Sequence, residues 1–264
     1  MDSRFVLIII IFHVFVSNAF AWSAKTHTFI SQKAGIPNPQ YSSLPDIIKK
    51  DNYSIFGPLH WHDAAPNTIV TPDYMDQFQI TEGYYVRKGS PEMKPIKLRV
   101  PDAVGVLYWE IIQLYQEMKK ARGPEYEYYL YSIAHFVGDL SQPLHNFPHG
   151  NNPASNGVIY GEIGEWSRAN HHAFDDNLDQ YLPLDADSDK AFETMITVTQ
   201  INSVDDLKKE IAKIANESIK LANKCYSEKR IVTKQEGLKQ IAMSVSLLKG
   251  IISGMKNNVQ GGRK

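Results

Sequence analysis

Nine histidines occur in this 264-residue chain, and none lies beyond His172. Apart from His13 they fall into groups: His27 alone, His60 with His62, His135 with His145 and His149, and His171 with His172. A chain that gathers its imidazoles this way, and leaves a long tail without them, is built around one centre. Imidazole is the commonest metal ligand among side chains, so a metal is the first candidate. In His135-Phe136-Val137-Gly138-Asp139 the His and the Asp are four apart, so on a helix they project from one face, a turn apart. An imidazole nitrogen and a carboxylate oxygen at that separation can share one zinc. Gly138 leaves room for another backbone or a ligand to approach, and Pro143 ends the helix so that His145 can return to the same cavity. A second i, i+4 pair is either His171 with Asp175 or His172 with Asp176. Both cannot face one site, because adjacent residues sit about 100° apart on a helix. Two such pairs on two packed helices make a multi-metal cavity within a bundle. Asp46 and His60 add a carboxylate and an imidazole from the N-terminal region.

The remainder reads as scaffold. A formal net charge of −1 provides no global basic field for nucleic acid or anionic membrane. The single cysteine, Cys225, excludes an intrachain disulfide and reads as a small core residue. Residues 1–21 read as an export signal: Arg4, an apolar run from Phe5 to Val16 too short to span a bilayer, and Ala19-Phe20-Ala21 as the small-x-small cleavage pattern. Cleavage there makes Trp22 the new N-terminus and 22–264 a single domain, secreted or periplasmic. Prolines and glycines break the stretch from Trp22 to about Val100, leaving helical patches over 27–33 and 44–50. Helical periodicity then takes over, predicting helices over 101–122, 124–140, 165–181 and 189–200, a long one capped by Ser203, and a last one over 234–255, with 257–264 fraying. No strand pattern or repeat is sustained. The fold class is all-α, a compact multi-helix bundle around a metal cleft.

Trp22-Ser23-Ala24, His27, Leu59-His60-Trp61-His62-Asp63-Ala64, the His135…Asp139…Gln142-Pro143…His145 run and His171-His172-Ala173-Phe174-Asp175 have a joint likeness. They resemble the zinc-dependent phospholipase C family and its relatives, the single-strand-specific nucleases of fungi and plants. The resemblance covers Trp22 to about Asp175 and selects His171 with Asp175 over the neighbouring pair. It implies three zinc ions. One takes Asp46, His60, His135 and Asp139; a second takes His145, His171 and Asp175. The third takes the amine and carbonyl of Trp22, His27 and the other oxygen of a bridging Asp139. Such nitrogen and oxygen donors suit zinc. The implied reaction is hydrolysis of a phosphate diester by metal-bound hydroxide attacking in line at phosphorus, since zinc lowers the pKa of bound water to about 7. Asp46 would orient or deprotonate that water. His62, His149 and His172 then read as supports for the ligands or as loop residues, with Trp61 and Phe147 walling the cleft.

The substrate is read less directly. Mature length and lack of disulfides resemble the bacterial phospholipases, whereas His27 and the acid Asp175 resemble the nucleases. Lys25 stands where the choline-preferring phospholipases carry an acid, and suits an anionic head group or an extra phosphate. Tyr84, Tyr85, Phe147 and Trp166 are candidate platforms for a stacked base. The balance favours a phospholipase C-like hydrolase, with transient membrane-surface contact, over a nuclease or 3'-nucleotidase. A non-catalytic zinc-binding protein and a phosphomonoesterase are further readings. No obligate protein partner is expected, and the protein reads as a monomer. Asn52-Tyr53-Ser54 and Asn216-Glu217-Ser218 match glycosylation acceptors for a eukaryotic secretory route.

Overall fold

A computed structural model describes residues 22–51, 56–77, 105–148 and 161–261. The export signal, His149, Tyr84 and Tyr85 lie outside the described residues. In chain order the helices are α1 (Ala24–Lys33), α2 (Leu44–Asp51), α3 (Pro72–Met75), α4 (Leu107–Lys120), α5 (Pro124–Ser141), α6 (Gly161–Asp179), α7 (Ala186–Glu193), α8 (Val204–Ser227) and α9 (Lys234–Gly261). Short 3-10 turns at Pro39–Ser43, Gly57–His60 and Pro143–Asn146 lie between them. No strand occurs among the described residues, so the chain is all-α.

Every residue from Leu130 to Ser141 is buried, which places the C-terminal part of α5 at the centre of the molecule. It is surrounded by α1, α2, α4, α8 and α9. Pro124 at the first turn suits a helix start, and Pro143 just past the end prevents its continuation. α8 shows how the sequence writes the supporting layer. Ser203 and Asp206 form a capping box that satisfies two backbone donors, and Leu207, Ile211, Ile214, Ser218 and Leu221 recur at helical spacing on its buried face. Each apolar member contributes roughly 1.5–3 kcal/mol of burial before the entropy of ordering it is subtracted.

Three expectations are corrected. The helix predicted over 189–200 ends at Glu193, and the segment after it lies along α9 instead, with the Ile201 amide donating to the Gly250 carbonyl (3.1 Å). Gly250 and Gly254 permit this, since a Cβ on either would strike the backbone of Thr199 or Ile201. α9 runs on to Gly261, beyond the point where fraying was expected. Phe147 does not wall a cleft. It is fully buried in a small second core with Leu144, Phe174, Leu221, Ala222, Cys225 and Val232, against which Trp166 also packs. Among the described residues no helix is long and apolar enough to cross a membrane.

Candidate metal centre

Four segments deliver side chains to one place. α5 contributes His135 and Asp139, α2 contributes Asp46, the 3-10 turn after it contributes His60, and α1 contributes His27. Ligand atoms of His27, His135 and Asp139 lie within 4.8 Å of one another, as do those of Asp46, His60 and His135, and those of His171, His172 and Asp175. Asp139 joins the groups. Its Oδ2 is 2.9 Å from His60 Nδ1 and 3.2 Å from His135 Nε2, while its Oδ1 is 3.3 Å from His27 Nε2. The third group is reached through His145, whose Nε2 is 2.9 Å from His171 Nε2.

Local structure explains this convergence. Gly138 admits the imidazole of His27 rather than a backbone or a ligand: a Cβ there would lie 2.6 Å from His27 Nδ1. The turn at Pro143 brings His145 back, and it is locked in both directions. His145 Nδ1 donates to the His60 carbonyl (2.6 Å), and the His62 amide donates to the His145 carbonyl (2.8 Å). Asn146 clamps the turn by donating to the Leu140 (2.8 Å) and Gln142 (3.2 Å) carbonyls and accepting from the Tyr108 hydroxyl (2.9 Å). His62 stacks on Tyr108 with ring centroids 4.5 Å apart, a supporting role. On α6, His171 and Asp175 are buried and Asp176 is exposed, so the first of the two alternative pairs faces inward. His172, read from sequence as a support, lies within ligand distance of that pair.

The second nitrogens of the imidazoles are placed for metal binding. His135 Nδ1 donates to the Ser42 carbonyl (2.8 Å) and His145 Nδ1 to the His60 carbonyl, which fixes each ring and leaves Nε2 as the free donor atom. Burial first, then the Lys49 ammonium, lowers the His60 pKa to about 3. Burial likewise lowers that of His145 to about 4. Neutral imidazoles are the metal-ready form. Burial opposes ionisation of Asp139, but the charges of His135 and His145 outweigh it and hold the carboxyl well below the usual range. Asp175 is pushed the other way by burial, and the charges of Asp179 and Asp139 add to the rise.

These residues fit a zinc cluster. Both ring nitrogens of His27, Asp139 Oδ1 and Asp175 Oδ2 are buried without a hydrogen-bond partner. Leaving such atoms unsatisfied costs about 1–3 kcal/mol each. Facing nitrogens 2.9 and 3.0 Å apart, in the His145–His171 and His60–His135 pairs, are close to the roughly 3.3 Å between two ligands on one tetrahedral zinc.

Sequence reading missed Lys49. It is 3% exposed, and its Nζ donates to Asp46 Oδ1 at 2.7 Å. Its position three residues after Asp46 on a helix was the available signal. Gln142 was read only as part of a motif, yet its Nε2 donates to Asp175 Oδ1 (3.2 Å). Lys25 is not held out for an anionic group; its Nζ donates to the Asp179 carbonyl at the end of α6 (2.7 Å). Trp166 meets Phe174 and Tyr226 edge-on and so packs rather than offering a platform.

A helical body that buries convergent imidazoles and carboxylates at its centre, with one carboxylate shared between groups, is the architecture of a multi-metal protein. The family model described as S1/P1 Nuclease matches residues 22–246, and the chain belongs to that family of zinc-dependent phosphodiester hydrolases. No curated protein matches the chain.

Proposed function

We propose that the protein is an exported nuclease that cleaves phosphodiester bonds of single-stranded nucleic acid, with three zinc ions held by the residues described above. The third ion would use the amine and carbonyl of Trp22 beside His27. The observation that carries the reading is the shared position of Asp139 in a chain of the S1/P1 family. This shifts the balance from the phospholipase side, where length and absence of disulfides had put it, toward the nuclease side, where His27 and Asp175 pointed.

Zinc, when bound, makes water acidic enough to attack near neutral pH and offsets the charge on phosphate oxygens. The chain's own residues prepare that step. Lys49 engages Asp46 Oδ1 and steers the carboxylate, whose other oxygen would accept a proton from the attacking water. Gln142 orients Asp175, and the interlocked backbones of 60–62 and 145 keep His60 and His145 from drifting apart. The family match opens at Trp22, which agrees with cleavage after Ala21.

The phospholipase reading keeps one observation of its own. Tyr41, Leu44, Ile47 and Tyr128 are exposed, and two of them lie on the helix that carries Asp46, as a lipid surface would favour. The two readings separate in one assay. Zinc-loaded mature protein is given single-stranded RNA and DNA, duplex DNA and mixed phospholipid vesicles, each with and without chelator. Chelator-sensitive cleavage of the single strands with intact lipid is the expected result. Release of diacylglycerol with intact nucleic acid would overturn it.

A further inference from the structure

The metal centre draws on α1, α2, α5, α6 and the 3-10 turns at His60 and His145. Trp22 precedes the first helix, since Ser23 caps α1 and α1 begins at Ala24, so Trp22 has to be held by contacts from elsewhere. The residue that holds it is on α6. Asp179 Oδ1 accepts hydrogen bonds from Ser23 Oγ (2.6 Å) and Thr26 Oγ1 (2.9 Å), and the Asp179 carbonyl accepts from Lys25 Nζ (2.7 Å). Ser23 is at the same time the N-cap of α1, its hydroxyl accepting from the amides of Lys25 and Thr26. A hydroxyl that donates to a carboxylate is polarised and accepts more strongly, so the cap and the anchor reinforce each other.

Trp22 is fixed from its other side. Its indole is fully buried and donates to Ser141 Oγ (3.0 Å), and Ser141 in turn donates to the Gly138 carbonyl (2.9 Å). Ser141 and Gly138 flank Asp139 on α5. The first residues of the mature chain are therefore clamped between α5, which carries the shared carboxylate, and the end of α6. His171, Asp175 and Asp179 recur every four residues on α6, so one helix face presents two candidate ligands and then the anchor. The Lys25 contact satisfies a carbonyl at the C-terminal end of α6, while the two contacts to the Asp179 carboxylate reach only the N-terminal segment.

We propose that Asp179 is a positioning residue that docks the mature N-terminus, holding Trp22 where its amine and carbonyl can complete the third zinc site. The proposal rests on the reading of Trp22 as a ligand. It couples the two ends of the cluster: the helix that supplies His171 and Asp175 also supplies the seat for the N-terminal ligand.

The test uses zinc-loaded mature protein beginning at Trp22, in the wild type, in Asp179→Ala and in the double variant Ser23→Ala/Thr26→Val. The double variant removes the same side-chain hydrogen bonds without touching α6 but also removes the Ser23 cap of α1. Thr26→Val alone, which leaves the cap in place, is therefore measured beside it and decides the matter if Asp179→Ala does not fold. Two quantities are read: bound zinc per chain, and the rate at which an amine-reactive label modifies the Trp22 α-amine near neutral pH. Asp179→Ala and the double variant should lose about one zinc and be labelled at least about tenfold faster, a floor well within what losing two hydrogen bonds to a charged group allows. Asp179→Asn, which keeps an acceptor oxygen, should fall between them and the wild type. A protected amine in the wild type with unchanged labelling and zinc in both variants would sink the Asp179 assignment alone. Rapid labelling of the wild type itself would sink the Trp22 reading on which it rests.

Discussion

At the scale of single residues, Asp139 has the most depending on it. Its two oxygens face different imidazoles, His60 and His135 on one side and His27 on the other. Asp139→Asn keeps the size but replaces one oxygen with a donor that cannot bind metal, so it should lose two zinc ions together. Zinc measured per folded chain checks this, and a loss of one or none would show that the carboxylate is not shared. Glu110, which is not in the ligand set but shares a cavity wall with His60, tests the balance of burial and charge. It faces a cavity of about 110 Å³ walled by Leu59, Leu114 and Phe136, and burial raises its pKa to about 7. A carboxyl whose folded pKa lies above its unfolded value binds more protons when folded, so stability is greatest below the unfolded value and falls as pH rises through the folded one. The loss should run from pH about 4.5 to about 7 and reach at most about 3 kcal/mol. Glu110→Gln should remove that slope, as denaturant melts at several pH values would reveal. His135 and Asp139 were legible in the sequence because helical spacing pairs them before any tertiary contact forms. His145 was legible through the turn at Pro143, and on the next helix spacing left two pairs open, of which the family resemblance selected His171 with Asp175. The spacing of Lys49 from Asp46 allowed their pairing but not its burial, and Asp179 was not legible, since a Lys or Asp on a helix is ordinarily solvated and only the packed neighbours say otherwise.

Helices follow the same division. α8 was readable from its start because its cap and its apolar spacing are both local signals. The stretch over 189–200 was misread because its fate is decided by contact. Past Glu193 the chain leaves the helix, and Thr199 and Ile201 come to lie against Gly250 and Gly254 of a helix far along the chain. Gly254→Ala separates the local from the tertiary effect. Helix propensity alone would favour Ala by about 1 kcal/mol. The added Cβ would strike the Ile201 carbonyl, which is backbone and cannot rotate away, at a cost of roughly 2–4 kcal/mol. The steric term wins, so the melting temperature should drop by about 5 °C or more. A rise would mean that the 196–202 segment is not seated on α9.

For the molecule as a whole, the metal is expected to act as part of the core. With no disulfide available, removal of zinc leaves several buried nitrogen and oxygen atoms facing one another without partners. One ion present at a thousand times its dissociation constant stabilises by about 4 kcal/mol, so chelation should lower the melting temperature by roughly 10 °C or more. Calorimetry with and without chelator measures this, and an unchanged transition would mean that the cluster is not tied to folding. The sequence by itself determined the all-helical class, the pairing of His and Asp on α5, a choice of two such pairs on α6, and the break at Pro143, because these depend on spacing of a few residues and on backbone geometry. Only the tertiary structure decided which residues would meet. It put His27 against Gly138, Lys49 against Asp46, Phe147 in a core, and the mature N-terminus between α5 and Asp179. Those contacts join residues far apart in the chain, and no local preference encodes which of many exposed polar groups a packed neighbour will capture.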